Sequence, residues 1–417
     1  MPESGARLSL HTGVSVARIG RPGNVRDTML RDLFVKVASA IDVTRAMPFP
    51  PQGIRKVLVV KLDSLGDIIQ VTPSLRALKA ACAEIHYLCS PWVSELVDMI
   101  PYVDKTHVFN QSTIGSIAST LLELRKEKFD LAVNFHRDVR SNLLVALTGA
   151  RYRAGFNWKN QGVFLTNRFE FNEEIHESQR YLSIVEGLGF KHSDCSTHIS
   201  RPVFEPIVYD LKSGITKIGL FPGGGKNPGT VMTTKRWPVR YYIDLCGILA
   251  KSDVSVYLFG GEMDDDVTEP IVAAHPEVIR IRTSSLKEFA YYCAAMNIFV
   301  AGDVGPLHIA AALGVRTIGL FGPTSPALVA PPGKDNVYIW KRIPCSPCYL
   351  PGTVHAREFL KCSDNVCMKE ISPDQVSAAI TRMMGNEDKN KRAEIDVLAS
   401  SLSNTGTGQE AFGRPLR

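Results

Sequence analysis

Lys56-Val-Leu-Val-Val-Lys61 runs directly into Leu62-Asp-Ser-Leu-Gly-Asp67, and the reading of this junction decides the fold. Four consecutive aliphatic residues between two lysines spell a short strand buried on both faces, not the alternating strand of a half-solvated sheet. The glycine-containing turn after it leads into helical spacing from about Ile68 to Cys82. A turn of this kind carries backbone N–H groups and polar side chains to the carboxyl end of a strand. Ile85–Cys89 reads as a second strand, Pro91–Met99 as a helix and Thr106–Phe109 as a third strand. Leu131–Phe135 and a helix from about Val139 to Leu147 continue the alternation. Strands separated by helices predict a parallel sheet covered on both faces.

The pattern restarts near Lys217. Ile218–Phe221 enters the glycine-rich turn Pro222-Gly-Gly-Gly225; helix Tyr241–Lys251, strand Val256–Phe259, helix Ser285–Met296, strand Ile298–Ala301, helix Leu307–Leu313 and strand Thr317–Phe321 follow. Two doubly wound α/β halves are therefore expected, at 53–205 and 214–375, with ligands in the cleft outside the carboxyl ends of their strands. Residues 1–52 form an extension whose one patterned stretch, Arg26–Val43, predicts a helix docked on the body. Residues 385–417 turn polar and charged (GNEDKNKRAE) and read as a disordered tail.

Composition narrows the function classes. With 417 residues, 45% hydrophobic and 22% charged, the chain is that of a globular protein of about two or three domains. A formal net charge of +6 suits anionic substrates or an anionic membrane surface, but without a basic patch or binding motif it does not argue for nucleic acid. No apolar run approaches the ~20 residues of a membrane span, and the first residues lack a signal-peptide layout, so a cytoplasmic location is expected. Of nine cysteines, Cys82, Cys89, Cys195, Cys246 and Cys293 read as isolated small hydrophobes in core elements.

Three motifs carry chemistry. In the first, Asp67 stands where a helix begins, so it is either an N-cap or a carboxylate presented to the cleft. The second joins Phe221-Pro-Gly-Gly-Gly-Lys226 to Thr233-Thr-Lys-Arg-Trp-Pro238. It is no Walker A loop, yet Gly224 and its neighbours permit close approach of an anion, and Lys226, Lys235 and Arg236 supply charge suited to a diphosphate. The third is Ala301-Gly-Asp-Val-Gly-Pro-Leu-His308, with Phe321-Gly-Pro-Thr324 after the next strand. Two polar turns at successive strand ends line one crevice. Singly, Asp303 reads as a cap and His308 as a satisfied histidine near a helix start; the conjunction points to a site.

Together these motifs resemble glycosyltransferase family 9, the ADP-heptose:lipopolysaccharide heptosyltransferases. The resemblance rests on LDSLGDIIQVTPSLRAL (62–78), FDLAVNFHRDVRSNLL (129–144), TKRWP (234–238), GDVGPLHIAAALG (302–314) and LFGPTSP (320–326), in order over about 54–380. It implies a GT-B fold, with two Rossmann-like domains facing across a cleft, and inverting sugar transfer without a required cofactor. It implies Asp67 as general base, Lys235 on the donor phosphate, and Asp303, Gly305 and His308 lining the donor site. Gly224 and Thr324, with Thr230, Thr233 and Thr234, are placed near the phosphates, and one carboxylate of Gly261-Glu-Met-Asp-Asp-Asp266 near the donor ribose, which one being open. The implied partners are a nucleotide-diphosphate sugar, ADP-heptose foremost, and an anionic glycolipid or glycan acceptor, with peripheral association at the inner membrane. Arg76, Arg137, Arg140 and Lys159 are the candidate acceptor contacts, each weighed against solvated surface charge. Asp63 stands where the family commonly has Ser and is expected to point away from Asp67.

Cys345-x-x-Cys348, followed by Cys362 and Cys367, has the spacing of a structural zinc site, with reduced thiols as the competing reading. Two other functions stay open: a family member using another nucleotide sugar for a different glycan, and a non-catalytic sugar-nucleotide or glycan-binding protein.

Overall fold

The computed structural model describes residues 44–50, 53–82, 84–192, 194–203, 209, 211–227, 230–349, 362–385 and 414–416. The helix expected at Arg26–Val43 lies outside them, as does 386–413.

The first half is a six-stranded sheet of β1 (Lys56–Val60), β2 (Glu84–Cys89), β3 (Lys105–Val108), β4 (Leu131–Asn134), β5 (Tyr152–Phe156) and β6 (Asn167–Phe169), in the order β3-β2-β1-β4-β5-β6. All its pairings are parallel. β1 sits between β2 and β4, with Val59 opposite both Tyr87 and Val133, which is why its aliphatic run is unbroken. Helices α1 (Leu65–Ala81), α2 (Ser94–Asp98), α3 (Ile114–Glu127), α4 (Val139–Leu147) and α5 (Glu177–Gly187) connect and cover it.

α1 begins three residues before the expected Ile68. Ser64 is its N-cap residue, and Asp67 lies in the first turn, so the capping alternative for Asp67 does not hold. Pro73, inside α1, has no N–H for the carbonyl of Ile69. The Thr72 hydroxyl donates to that carbonyl instead, at 2.7 Å, and the helix continues.

The second half carries β7 (Thr216–Phe221), a short antiparallel ribbon of β8 (Lys226–Asn227) and β9 (Thr230–Val231), then β10 (Val254–Gly260), β11 (Ile279–Arg282), β12 (Ile298–Gly302), β13 (Arg316–Phe321), β14 (Asn336–Trp340) and β15 (Arg414–Leu416). The large sheet runs β11-β10-β7-β12-β13-β14-β15, again parallel. Its helices are α6 (Val239–Leu249), α7 (Asp265–Ala274), α8 (Leu286–Cys293), α9 (Gly305–Ala312), α10 (Pro326–Val329), α11 (Val366–Lys369) and α12 (Pro373–Gly385). The second core continues past residue 375, because Val376, Ile380 and Met383 of α12 pack with Trp237 and Leu245. The tail expected to be disordered from 385 also returns to the fold: Arg414–Leu416 pairs with β14, whose outer edge offers unpaired backbone groups.

The two halves share one apolar cluster, with Val59, Ile68 and Leu75 from the first and Phe221, Phe299 and Leu307 from the second. Polar contacts join them as well. Gln70 Nε2 donates to the Val329 carbonyl at 3.1 Å, His176 Nε2 to the Ala330 carbonyl at 2.8 Å, and the Ile199 N–H to the Ala312 carbonyl at 3.1 Å. Where α1 meets α9 the backbones approach closely: a Cβ at Gly305 would stand 2.6 Å from Leu65 Cβ.

Candidate active site

Asp67 projects from the first turn of α1, one turn beyond the carboxyl end of β1. Its Oδ2 lies 2.6 Å from Lys61 Nζ, and the carboxylate side chain is 32% exposed while the lysine is 8% exposed. Burial works against the Lys61 ammonium, but Asp67 and Glu177 outweigh it and raise its pKa. Asp67 is thus held by one oxygen. Oδ1 has no hydrogen-bond partner among the described residues.

α5 brings a second carboxylate to the same place. Glu177 Oε1 accepts from Tyr181 Oη at 2.8 Å and stands 3.8 Å from Arg180 Nη1. Burial first, and the neighbouring Asp67 second, raise its pKa. On the other flank His136 Nε2 accepts the Leu62 N–H at 2.8 Å, and burial with the Lys61 charge pushes its pKa down to about 3, so the ring is neutral at pH 7. Asp63 is exposed, and the charges of Lys61 and Asp67 act on it.

Across the cleft, β12 ends in Asp303. Lys235, from the one-turn 3-10 helix Thr233–Lys235, places Nζ 2.7 Å from Asp303 Oδ2, and Thr324 Oγ1 donates to the same oxygen at 2.8 Å. His308 Nε2 is 3.6 Å from Oδ1, so the two residues of the third motif do face one another. Burial opposes ionisation of Asp303, but Lys235 and His308 hold its carboxyl well below the usual carboxylate range. Lys235 is raised in turn: Asp303 outweighs burial, and Tyr349 and Asp67 add to it. The influence of Asp67 on Lys235 joins the two half-sites. Tyr349 lies between them, with Lys235 Nζ 5.1 Å from its ring centroid.

The glycine-rich turn is built to hold a shape. Gly224 sits at φ +88°, and a Cβ there would stand 2.6 Å from Val304 Cγ1. Its N–H donates to Asp264 Oδ1 at 3.0 Å and its carbonyl accepts from Arg236 Nε at 2.8 Å. Arg236 also pairs with Asp266 at 3.0 Å, so this cation braces the turn. Within 261–266, Asp264 caps the turn, Asp265 pairs with Arg280 and Arg282, and Asp266 with Arg236. Glu262 is exposed and is the carboxylate of this stretch with no such pairing. Thr234 Oγ1, beside Lys235, is buried without a hydrogen-bond partner among the described residues.

The four candidate acceptor residues separate. Arg76 is committed: Nη2 lies 2.6 Å from Asp194 Oδ1 and Nη1 donates to the Ser196 carbonyl, tying α1 to the 194–196 loop. Arg140, 74% exposed, pairs with Asp138 beside it at the start of α4. Arg137 is different. Its guanidinium lies 4.7 Å from the Trp158 ring centroid and 5.2 Å from that of Phe171, and Tyr349, Tyr181 and Glu177 act on it electrostatically. Lys159 Nζ covers Trp158 at 4.3 Å. Arg137 and Lys159 therefore share an aromatic shelf, and Arg76 and Arg140 do not.

Among the described residues one group brings three metal-capable atoms within 4.8 Å: His86, His107 and Glu127. Glu127 is already clasped by Lys56 and Lys105, and His86 bonds His107 and Glu84, so this is a satisfied charge network at the amino-terminal edge of the sheet, away from the cleft. No disulfide joins the late cysteines among the described residues. Cys345, Cys348 and Cys362 are near enough to act on buried Cys367, whose thiol burial pushes up to about 11, but no three of their sulfurs converge within 4.8 Å. Cys195, expected in a core element, lies half-buried in a loop.

Two parallel doubly wound domains, with charged side chains near the carboxyl ends of their strands facing one cleft, make up a GT-B fold. A model of glycosyltransferase family 9 (heptosyltransferase) matches residues 117–354, more than half of the chain. Lipopolysaccharide heptosyltransferase 1 of Pseudomonas aeruginosa is 25% identical over 364 residues, which cover 79% of this chain and 98% of that protein. Among solved structures, a glycosyl transferase family 9 protein from Veillonella parvula superposes with a TM-score of 0.66 at 20% identity, covering 81% of this chain and 99% of that one. An E. coli heptosyltransferase with ADP gives 0.61 at 18% identity, covering 79% and 99%. The chain belongs to glycosyltransferase family 9, and it is a transferase enzyme.

Proposed function

We propose that the protein transfers heptose from ADP-heptose, with inversion, to a hydroxyl of a lipopolysaccharide core. The observation that carries this reading is the opposition of Asp67 to the Lys235–Asp303 pair across the cleft. A donor diphosphate meets Lys235 and the hydroxyl of Thr234, which face the charge that grows on the leaving oxygen. Glu262, the uncommitted carboxylate, is placed for the donor ribose. Asp67 Oδ1 takes the proton of the acceptor hydroxyl as that oxygen bonds to the anomeric carbon and the bond to the diphosphate breaks on the opposite face. Arg137 and Lys159 offer cations to an anionic acceptor. The heptose and the ADP rest on the relatives, one a lipopolysaccharide heptosyltransferase by name and one solved with ADP.

No divalent ion is required in this scheme, because Lys235 meets the diphosphate. A glycolipid acceptor places the work at the cytoplasmic face of a membrane; no helix among the described residues is long and apolar enough to cross one. The four late cysteines remain candidate zinc ligands, and metal analysis of the purified protein tests them directly. The function itself is tested by a calorimetric screen of nucleotide diphosphates and nucleotide sugars, followed by product mass. ADP and ADP-heptose are expected to bind and to yield a heptosylated core; preference for a uridine or guanosine diphosphate would overturn the donor assignment.

A further inference from the structure

The scheme above uses Asp67 but leaves the buried cation beside it without a role. Lys61 ends β1, in the middle of the sheet, and its side chain is 8% exposed. It cannot swing into solvent without leaving the core. It has three anionic neighbours: Asp67, at 2.6 Å, and Glu177 of α5 and Asp63 of the turn, whose charges also act on it. Glu177 is fixed by Tyr181 and Arg180, and the Lys61 ammonium stands 5.7 Å from the centroid of the Tyr181 ring.

We propose that Lys61 is the positioning residue of the Asp67 base and Glu177 its counterweight. The proposal rests on the reading of Asp67 as base. Lys61 takes Oδ2, which fixes the carboxylate rotation and leaves Oδ1 as the oxygen facing the acceptor. Too strong a hold would weaken the base. Glu177 draws on the same ammonium and repels the Asp67 charge, and so moderates it. The other groups that Asp67 acts on are Asp63 in the turn, Tyr87 of β2, His136 after β4, Tyr181 of α5, and Lys235 and Tyr349 across the cleft. The Lys61 ammonium pairs with it directly, at 2.6 Å.

The test is the pH dependence of kcat in Lys61→Met, Lys61→Arg, Glu177→Gln and Lys61→Met/Glu177→Gln, with ADP affinity and melting temperature measured alongside. Loss of the ammonium makes protonation of the neighbouring carboxylate easier, so in Lys61→Met the acid limb moves to higher pH, by about one to three units. Turnover at pH 7 falls at least about tenfold, while ADP affinity stays within about twofold. Lys61→Arg keeps the charge and restores the limb. Adding Glu177→Gln to Lys61→Met removes a repelling charge and brings the limb back down. A melting temperature that falls with no movement of the limb would reduce Lys61 to a fold support and overturn the proposal; so would an equal loss of ADP affinity, which would make it a donor ligand. Asp67→Asn, run in parallel, separates the two levels. If it stays active, the base assignment itself fails; if it is inactive while the Lys61→Met limb does not move, only the positioning role fails.

Discussion

Replacing Lys235 by Met removes a buried cation and leaves its partner in place. Asp303 is 9% exposed, and without Lys235 it keeps only the Thr324 hydroxyl at 2.8 Å and His308 at 3.6 Å. Removing one partner of a buried pair costs about 3–5 kcal/mol, and the retained Thr324 bond places the expected loss near the lower end. Affinity is a separate quantity. Loss of one charge-assisted contact to a diphosphate costs roughly 1.5–3 kcal/mol, which is about 10- to 150-fold in Kd. Asp303→Asn in the Lys235→Met background separates the two, because it removes the stranded charge: stability should largely return and ADP affinity should not. The pH dependence has a definite sign. A carboxyl held below its unfolded value contributes stability that is full above about pH 4 and lost as pH falls through the folded pKa. The parent should therefore lose more stability on acidification than Lys235→Met does. Denaturant melts at pH 7 and at about pH 2.5, with ADP calorimetry at pH 7, measure all of this. Parental ADP affinity in Lys235→Met would refute the placement of the diphosphate.

Three further outcomes are expected. Gly305→Ala sets a Cβ 2.6 Å from Leu65 Cβ where α1 meets α9, so transfer should fall sharply for a stability loss of about 1–3 kcal/mol, read by activity and melting on one preparation. Arg76→Ala should lower stability and leave the acceptor KM unchanged, whereas Arg137→Ala should raise that KM severalfold; the reverse would exchange their roles. The imidazole of His176, with burial as the main cause of a pKa near 3, should show no NMR titration between pH 5 and 8. An unfolded histidine binds its proton near pH 6.5, so His176 should make the fold less stable as pH falls below that value, and His176→Gln should lessen the slope.

The α/β alternation was legible where buried parallel strands write unbroken apolar runs, as in Val57–Val60 and Ile298–Ala301, whereas the strands β5, β6, β11 and β14 were missed. The α5 helix was missed, although Tyr181, Leu182, Ile184, Val185 and Leu188 recur at helical spacing in the sequence. That omission hid Glu177, Tyr181 and Arg180, three of the groups around Asp67. The motifs led to Asp303 and Thr324, which follow the ends of β12 and β13, to Asp67 in the first turn after β1, and to Lys235 in the 3-10 turn before α6. What they could not convey was commitment. Arg76 and Arg236 read as free cations, but their partners, Asp194 and Asp264 with Asp266, are distant in sequence and only the folded chain brings them together. The strand Arg414–Leu416 was equally hidden, because a three-residue edge strand needs only a free neighbouring edge and leaves no pattern.

The central claim is that Asp67 accepts the proton of the acceptor hydroxyl. Asp67→Asn keeps an oxygen for Lys61 at the position now 2.6 Å from Nζ, so the fold and the donor site should survive. The decisive measurement is the transfer rate of this variant at saturating donor and acceptor, with ADP affinity and melting temperature taken on the same preparation. A loss of roughly 10²–10⁴ in kcat at parental ADP affinity is the expected result. Transfer at near the parental rate would contradict it, and Asp63, the exposed carboxylate of the same turn, would then be the base to examine.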